Sequence, residues 1–164
     1  MSLLEIEEMD TDEIQEMISS ENFAHLGCCH HNIPYVVPIN YAMIDPYLYI
    51  YTTEGKKSEI ITANGNVCLQ IENIKSRTEW RSVIVDGIAH LVDDTDEREK
   101  AVAAILKINP TLTPAISVHW MDDWVRENIE VLFRLELTSK TGRKTKRSKA
   151  KPFVRRETHR SSEF

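Results

Sequence analysis

Cysteine, glycine and long apolar runs are all scarce in this chain. Its three cysteines, Cys28, Cys29 and Cys68, are an odd number without a secretory context, and adjacent strand residues point to opposite faces. A disulfide framework is therefore excluded and reduced thiols are expected. The run Cys28-Cys29-His30-His31 lacks the spacing that lets zinc ligands converge, so no metal site is expected. No apolar run approaches the roughly 20 residues that cross a bilayer as a helix. Met1 to Glu16 is acidic rather than a basic region followed by an apolar block, so a secretory leader is not expected and a cytoplasmic location is. A nucleotide-binding P-loop is missing too. The pattern GxxxxGK(S/T) needs Gly at position 50 and Ser or Thr after the first Lys, but Ile50 and Lys57 stand there.

What is present is an ordinary globular composition, with 41% hydrophobic and 28% charged residues in 164. That length suits one domain able to bury roughly 70% of the surface its unfolded form exposes. The net charge of −6 hides an asymmetry. From Ser139 onward ten Lys/Arg face two Glu, a local +8 that leaves −14 on the rest. The organisation expected is a domain over residues 1–138 and a basic tail over 139–164. Such a tail can bind an anionic partner, fold back on its own acidic body or a partner subunit, or stay solvated. Only Phe153 interleaves an aromatic among its charges, so nucleic acid is not the expected partner.

Asp10 with Glu13 forms a capping box, and Ile14, Met17 and Ile18 share one helical face, which predicts a helix over residues 11 to 20. A hairpin follows, Phe23 to His30 and Ile33 to Met43, turning at His31-Asn32. Pro34 and Pro38 have no N–H to donate, so the second strand belongs at an edge or carries an interruption. Tyr47 to Thr53, Asn66 to Glu72 and Trp80 to Val92 read as further strands, the last bent or bulged at Gly87. Asp94 and Glu97 open a helix with Ala101, Ala104, Ile105 and Ile108 on its apolar face. A short helix is the reading for residues 110 to 127, and Asn128 to Thr138 alternates as a closing strand. Six strands with short links fit a small closed antiparallel barrel, mainly β with flanking helices.

The stretch Leu48 to Gly65 organises the rest. Its strand ends at Glu54-Gly55, and Lys56 to Asn64 read as a short helix whose first N–H groups are unpaired at the positive end of the dipole. Two lysines and two threonines surround that end, which suits an anion such as a phosphate. The same residues equally suit a solvated turn whose lysines keep the protein soluble.

In matching order, PYVVPINY (Pro34 to Tyr41), LYIYTTEGKK (Leu48 to Lys57), NGNVCLQIE (Asn64 to Glu72) and WRSVIVDGIAHLV (Trp80 to Val92) resemble the FMN-binding split-barrel family of pyridoxamine 5'-phosphate oxidase. The likeness runs from about Ile14 to Gly142 and is nearest to the nitroimidazole-resistance, nitroreductase-like branch. It implies a six-stranded antiparallel Greek-key split barrel that dimerises, with FMN between subunits. Val36, Val37, Pro38, Ile39, Asn40 and Tyr41 would lie along the flavin ring. Tyr51, Thr52 and Thr53 match the end of the next strand, Lys56 and Lys57 the basic pair on the phosphate, and Trp80, Arg81 and Ser82 a further flavin contact.

Departures from the family pattern narrow the expectation. The oxidase's Arg and Lys on the flavin strand fall at Val36 and Tyr41, and its C-terminal substrate-binding segment has no counterpart, so pyridoxine-phosphate oxidation is not expected. Many nitroimidazole-resistance relatives carry His where Tyr51 stands. The turn before the basic pair is one residue shorter than the oxidase's, leaving open which lysine meets the phosphate. The resemblance implies an FMN-dependent oxidoreductase that takes hydride from NAD(P)H and reduces a small, planar, electron-poor acceptor such as a nitroaromatic or quinone. The alternative is a non-catalytic or stress-sensing split barrel that holds a flavin or haem. His25, His30, His90 and His119 are candidates for proton delivery, and Trp120 and Trp124 for covering the ring from a partner subunit.

Overall fold

The computed structural model describes residues 4–108 and 129–147. Along them run β1 (Leu4–Glu8), α1 (Thr11–Ser20), β2 (Phe23–His30), β3 (Ile33–Asn40), β4 (Ala42–Ile44) and β5 (Tyr47–Thr53). They are followed by α2 (Lys56–Ala63), β6 (Asn66–Ser76), β7 (Glu79–Leu91), α3 (Thr95–Ile108) and β8 (Glu130–Arg147). Every strand pairing is antiparallel, in the order β3-β2-β6-β7-β8-β5-β4, with β1 on the far end of β8. β3 and β4 stand at opposite ends of that order, yet only Tyr41 separates them in the chain. The sheet must therefore curl until its edges meet at Tyr41. Among the described residues no ladder joins the two edges, and that seam makes the barrel a split one.

Local chemistry explains the elements. His31 and Asn32 both adopt left-handed backbone (φ 50° and 61°), the two-residue turn whose twist matches the strands it joins. β3 pairs with β2 alone, so Pro34 and Pro38 cost the sheet no second ladder. Asp10 accepts from the Glu13 N–H at 2.8 Å while the Glu13 carboxylate accepts from the Asp10 N–H at 3.1 Å, closing the expected capping box of α1. Ile14, Met17 and Ile18 are buried, as their spacing predicts. They cover a barrel interior filled from alternate strand positions by Leu26, Leu69, Ile71, Val83, Val85 and Phe133, among others. Tyr41 is buried at the seam, and its hydroxyl donates to the Ile18 carbonyl at 2.9 Å. A smaller core beneath α3 holds Ala42, Tyr49, Val92, Ala101, Ile105 and Leu132. At Gly87 the β7–β8 register slips, and a Cβ there would sit 2.8 Å from the Glu136 carbonyl oxygen. The bulge therefore requires glycine.

Eight strands are described where six are expected. The predicted strand Ile33 to Met43 breaks at Tyr41, where the chain crosses from one edge of the sheet to the other. β1 was not foreseen, because LEIEE reads as a charged segment rather than a buried strand. Two strands also run further than their apolar patterns. β6 reaches Ser76, four residues past the predicted Glu72, in a hairpin with β7, and β8 continues past Thr138 to Arg147. The start of the basic stretch is thus sheet: Arg143, Lys144 and Lys146 pair across from Glu8, Glu7 and Glu5. The short helix read at 110 to 127, and the rest of the basic stretch, lie outside the described residues. No described helix is long and apolar enough to cross a membrane.

Candidate functional site

β5 carries the chain to the turn at Glu54-Gly55, which the Glu54 N–H ties to the Ile129 carbonyl at 2.8 Å. Ser58 then closes the start of α2 on itself. Its hydroxyl accepts from the Gly55 N–H and donates to the Gly55 carbonyl, both at 2.8 Å. The Gly55 N–H is therefore occupied, while the N–H groups of Lys56, Lys57 and Ser58 stand in the first turn with no acceptor inside the helix, whose first bond runs from the Glu59 N–H to the Gly55 carbonyl. Thr52 and Thr53 are buried just before them.

The two lysines do different things. Lys56 is exposed and holds its Nζ 4.8 Å above the Tyr35 ring of β3, a cation–π contact across the seam. Lys57 is half-buried, and desolvation holds its ammonium below the usual lysine range. Among the described residues it has no hydrogen bond or ion pair. A partly dehydrated cation without a counter-charge, at the positive end of a helix, is a place for an anion to sit.

The remaining expected site residues are spread over both faces of the sheet. On β3 the side chains of Val36, Pro38 and Asn40 are exposed, whereas Val37 packs against the core, Ile39 is buried and Tyr41 is sealed at the seam. A ligand along β3 would thus meet Val36, Pro38, Asn40 and the backbone, not the Tyr41 ring. Tyr51 turns towards α3. Its hydroxyl is hydrogen-bonded to the Glu130 carboxylate, Arg98 lies 5.8 Å from its ring centre, and the Arg98 guanidinium donates to the Glu130 carbonyl at 3.0 Å. Desolvation, then the Glu130 contact, push the Tyr51 phenol up to about 12, so it stays protonated at neutral pH.

Trp80, Arg81 and Ser82 line an open groove of about 570 Å³ on the β6-β7-β8 side, together with Gln70, Ile74 and Arg143. The Gln70 amide donates to the Ser82 hydroxyl at 3.5 Å, and the Trp80 N–H to Thr145 Oγ1 at 3.0 Å. Tyr35, beneath Lys56, lies in the row Tyr35-Cys28-Val67-Gly87, five residues along β7 from Ser82, or about 17 Å. A single chain therefore brings the lysines to β3 at the seam but leaves the Trp80 groove at the other end of the sheet.

Of the candidate histidines, His30 and His31 meet at the hairpin tip with ring centres 3.8 Å apart and planes tilted by 50°, and His90 lies 3.6 Å from the exposed Glu136. His25 pairs in register with Gln70 of the groove, and its Nδ1 is buried without a hydrogen-bond partner among the described residues. His119, Trp120 and Trp124 lie outside those residues. Sequence reasoning missed Tyr35, Gln70, Arg143 and the Arg98–Glu130 pair as neighbours of the site. Gln70 alone left a signal, as the polar position in an otherwise alternating apolar strand. The thiols are free, with Cys28 buried and raised by desolvation, and among the described residues no group of three or more His, Cys, Asp and Glu could hold a metal ion.

A family model described as pyridoxamine 5'-phosphate oxidase matches residues 10–144. Over 79 residues the chain is 37% identical to an uncharacterized protein of Rhizobium meliloti, covering 48% of this chain and 52% of the relative. It thus spans about half the length of that curated relative. The crystal structure of a FAD-binding protein from Mesorhizobium loti superposes with a TM-score of 0.68 at 25% identity, over 85% of this chain and 97% of that one. A FAD-binding protein from Mycobacterium smegmatis shares the fold at 21% identity and a TM-score of 0.61, over 84% and 97% of the two chains. So does a protein of Bacteroides thetaiotaomicron provisionally assigned to 5-nitroimidazole antibiotic resistance, at 18% identity and 0.65, over 88% and 91%.

Proposed function

The chain belongs to the pyridoxamine 5'-phosphate oxidase family, and from that membership we propose that it is an FMN-binding flavoprotein, working as an NAD(P)H-dependent oxidoreductase. The observation that carries the proposal is Lys57, a half-buried ammonium at the N-terminus of α2 with no counter-charge among the described residues. A phosphate dianion fits there. Lys57 supplies the desolvated charge, Lys56 a second one from above Tyr35, and the free N–H groups of the first turn supply hydrogen bonds. β3, pairing on one side only, offers unpaired backbone groups and the flat apolar surfaces of Val36 and Pro38 to a ring laid along it.

The Trp80 groove completes this site from a second copy of the chain. The outer face of β2, β3, β6 and β7 exposes Phe23, Val36, Ile74, Ile84 and Ile88, a set of large apolar side chains that a partner surface would cover. Burying that face in a homodimer brings Trp80, Arg81 and Ser82 of one copy towards β3 of the other. When bound, the flavin supplies the redox chemistry between NAD(P)H and a small, planar, electron-poor acceptor such as a nitroaromatic or quinone. The chain's part is to hold the phosphate, orient the ring, exclude water with the apolar face and present His25 and Ser82 near the reacting edge.

The test is anaerobic. The flavin-loaded protein should bleach with NADH or NADPH and recover its colour on addition of a nitroaromatic or quinone. A bound flavin that stays oxidised with both reductants would overturn the enzymatic half and leave a flavin-holding protein. Ile84→Glu, on the exposed face, should give a folded monomer with reduced flavin occupancy by light scattering and absorbance.

A further inference from the structure

β1 is a strand that the core does not hold. None of Leu4 to Glu8 is buried, and Leu4 and Ile6 are 44% and 57% exposed. What holds it is backbone pairing along Arg143 to Arg147 of β8, charge, and at its end the buried Met9, whose N–H donates to the Gly142 carbonyl at 2.9 Å. Glu5 stands opposite Lys146 and Glu7 opposite Lys144; Lys146 Nζ lies 3.2 Å and Lys144 Nζ 3.5 Å from the Glu7 carboxylate. Glu8 faces Arg143. Lys144 also reaches the Glu13 carboxylate of the α1 capping box and pairs across from Arg81 of β7, so the edge is anchored to the folded body as far as Lys144 whether or not β1 is present, whereas Lys146 contacts Glu7 of β1. The basic edge is therefore a fixed feature and the acidic strand a resident on it.

We propose that the β8 edge from Arg143 to Arg147 is a docking site for an extended acidic peptide of a partner protein, with β1 its displaceable occupant. An incoming segment would add as an antiparallel strand, taking main-chain hydrogen bonds from β8. Its specificity would follow the resident pattern, acidic side chains at the positions of Glu5 and Glu7 against Lys146 and Lys144, with apolar residues between them. Charge complementarity singles out this partner. Arg143, Lys144, Lys146 and Arg147 all stand on this edge, opposite Glu8, Glu7, Glu5 and Leu4, whereas exposed ion pairs of this kind are individually weak and exchange readily. The proposal is independent of flavin binding.

The experiment uses the full chain and a fluorescein-labelled peptide of sequence SLLEIEE, followed by anisotropy. Weakening the resident by Glu5→Lys with Glu7→Lys should raise peptide affinity about fivefold or more, and added salt should lower it steeply. In that double variant, where the resident no longer competes through the same contact, Lys146→Glu should weaken the peptide about fivefold while leaving the melting temperature close to that of the double variant. Lys144→Gln, a shorter polar side chain without the charge, is a second variant and should weaken the peptide in the same direction. A peptide SLLQIQQ that binds as well as the acidic one, or an acidic peptide that ignores all these variants, overturns the proposal. Two other outcomes overturn it in favour of a different occupant. One is a dimer that needs Lys146 but excludes the peptide, meaning β1 exchanges between copies. The other is a DNA duplex that binds this edge more tightly than the peptide at equal salt.

Discussion

Replacing Lys57 by Met keeps most of the side chain's bulk and removes its charge, and the structure sets opposite signs for its two effects. In the protein without ligand, the Lys57 ammonium is half dehydrated and unpaired among the described residues, so it opposes folding. A partial desolvation of this kind costs on the order of 1 kcal/mol, well below the figure for a fully buried ion because solvent still reaches the group. Lys57→Met should therefore raise the apo melting temperature by about 3 °C. The same change removes a charge-assisted contact to the flavin phosphate worth about 2 kcal/mol, which weakens Kd about thirtyfold. Lys56→Met gives the contrast. It loses only an exposed cation–π contact with Tyr35, so apo stability should fall slightly, by about 0.5 kcal/mol, and flavin affinity by less than for Lys57. The pH dependence has a definite sign. The folded pKa of Lys57 lies below its ordinary 10.5, so its penalty is complete below the lowered value and fades as pH rises from there to 10.5. Wild-type apo protein should gain on Lys57→Met across that window, while phosphate affinity falls. Differential scanning fluorimetry on apo protein and quenching of flavin fluorescence measure both arms. A Lys57→Met protein that melts lower than wild type and binds flavin unchanged would refute the reasoning.

Three further expectations concern the scaffold. Tyr41→Phe strands the Ile18 carbonyl at the barrel seam, and urea unfolding should show a loss of about 1–3 kcal/mol with an unchanged m-value. Gly87→Ala puts a Cβ against the Glu136 carbonyl and should cost about 1–3 kcal/mol in thermal unfolding, whereas Gly55→Ala, with open space around its Cα, should cost far less. Lys144, then the Asp10 N–H, hold the Glu13 carboxyl below its usual 4.5, so its contribution is complete above that pH and is lost as pH falls through the lowered value. Glu13→Gln should flatten the acid limb of the stability curve; an acid limb identical to wild type would count against the Lys144 contact.

Where the sequence was legible, one local rule acted alone. The capping box at Asp10, the apolar triad Ile14, Met17 and Ile18, the His31-Asn32 turn and the Gly87 bulge each depend on a few neighbouring residues, and the structure shows all four. Pattern reasoning failed where distant parts of the chain decide. Leu4 to Glu8 has no core face and becomes a strand only because a basic strand lies far along the chain to receive it. Tyr41 looked like one more inward residue of a continuous strand, but it is the point at which the sheet changes edges. At the candidate site the residue types were readable and the partners were not. Two lysines at a helix start could be identified, but only the fold distinguishes Lys56, spent on Tyr35, from Lys57, left without a counter-charge among the described residues. Tyr51 shows the same limit, because its engagement with Glu130 and Arg98 joins segments that periodicity cannot relate.

The central claim is that a flavin phosphate sits on Lys57 at the start of α2. Its most direct test is the absorption spectrum of the purified protein, together with the mass of whatever acid releases from it. A yellow protein that yields flavin mononucleotide, or a colourless one whose melting temperature rises when FMN is added, is the expected result. A colourless protein whose melting temperature neither FMN nor FAD changes contradicts the account.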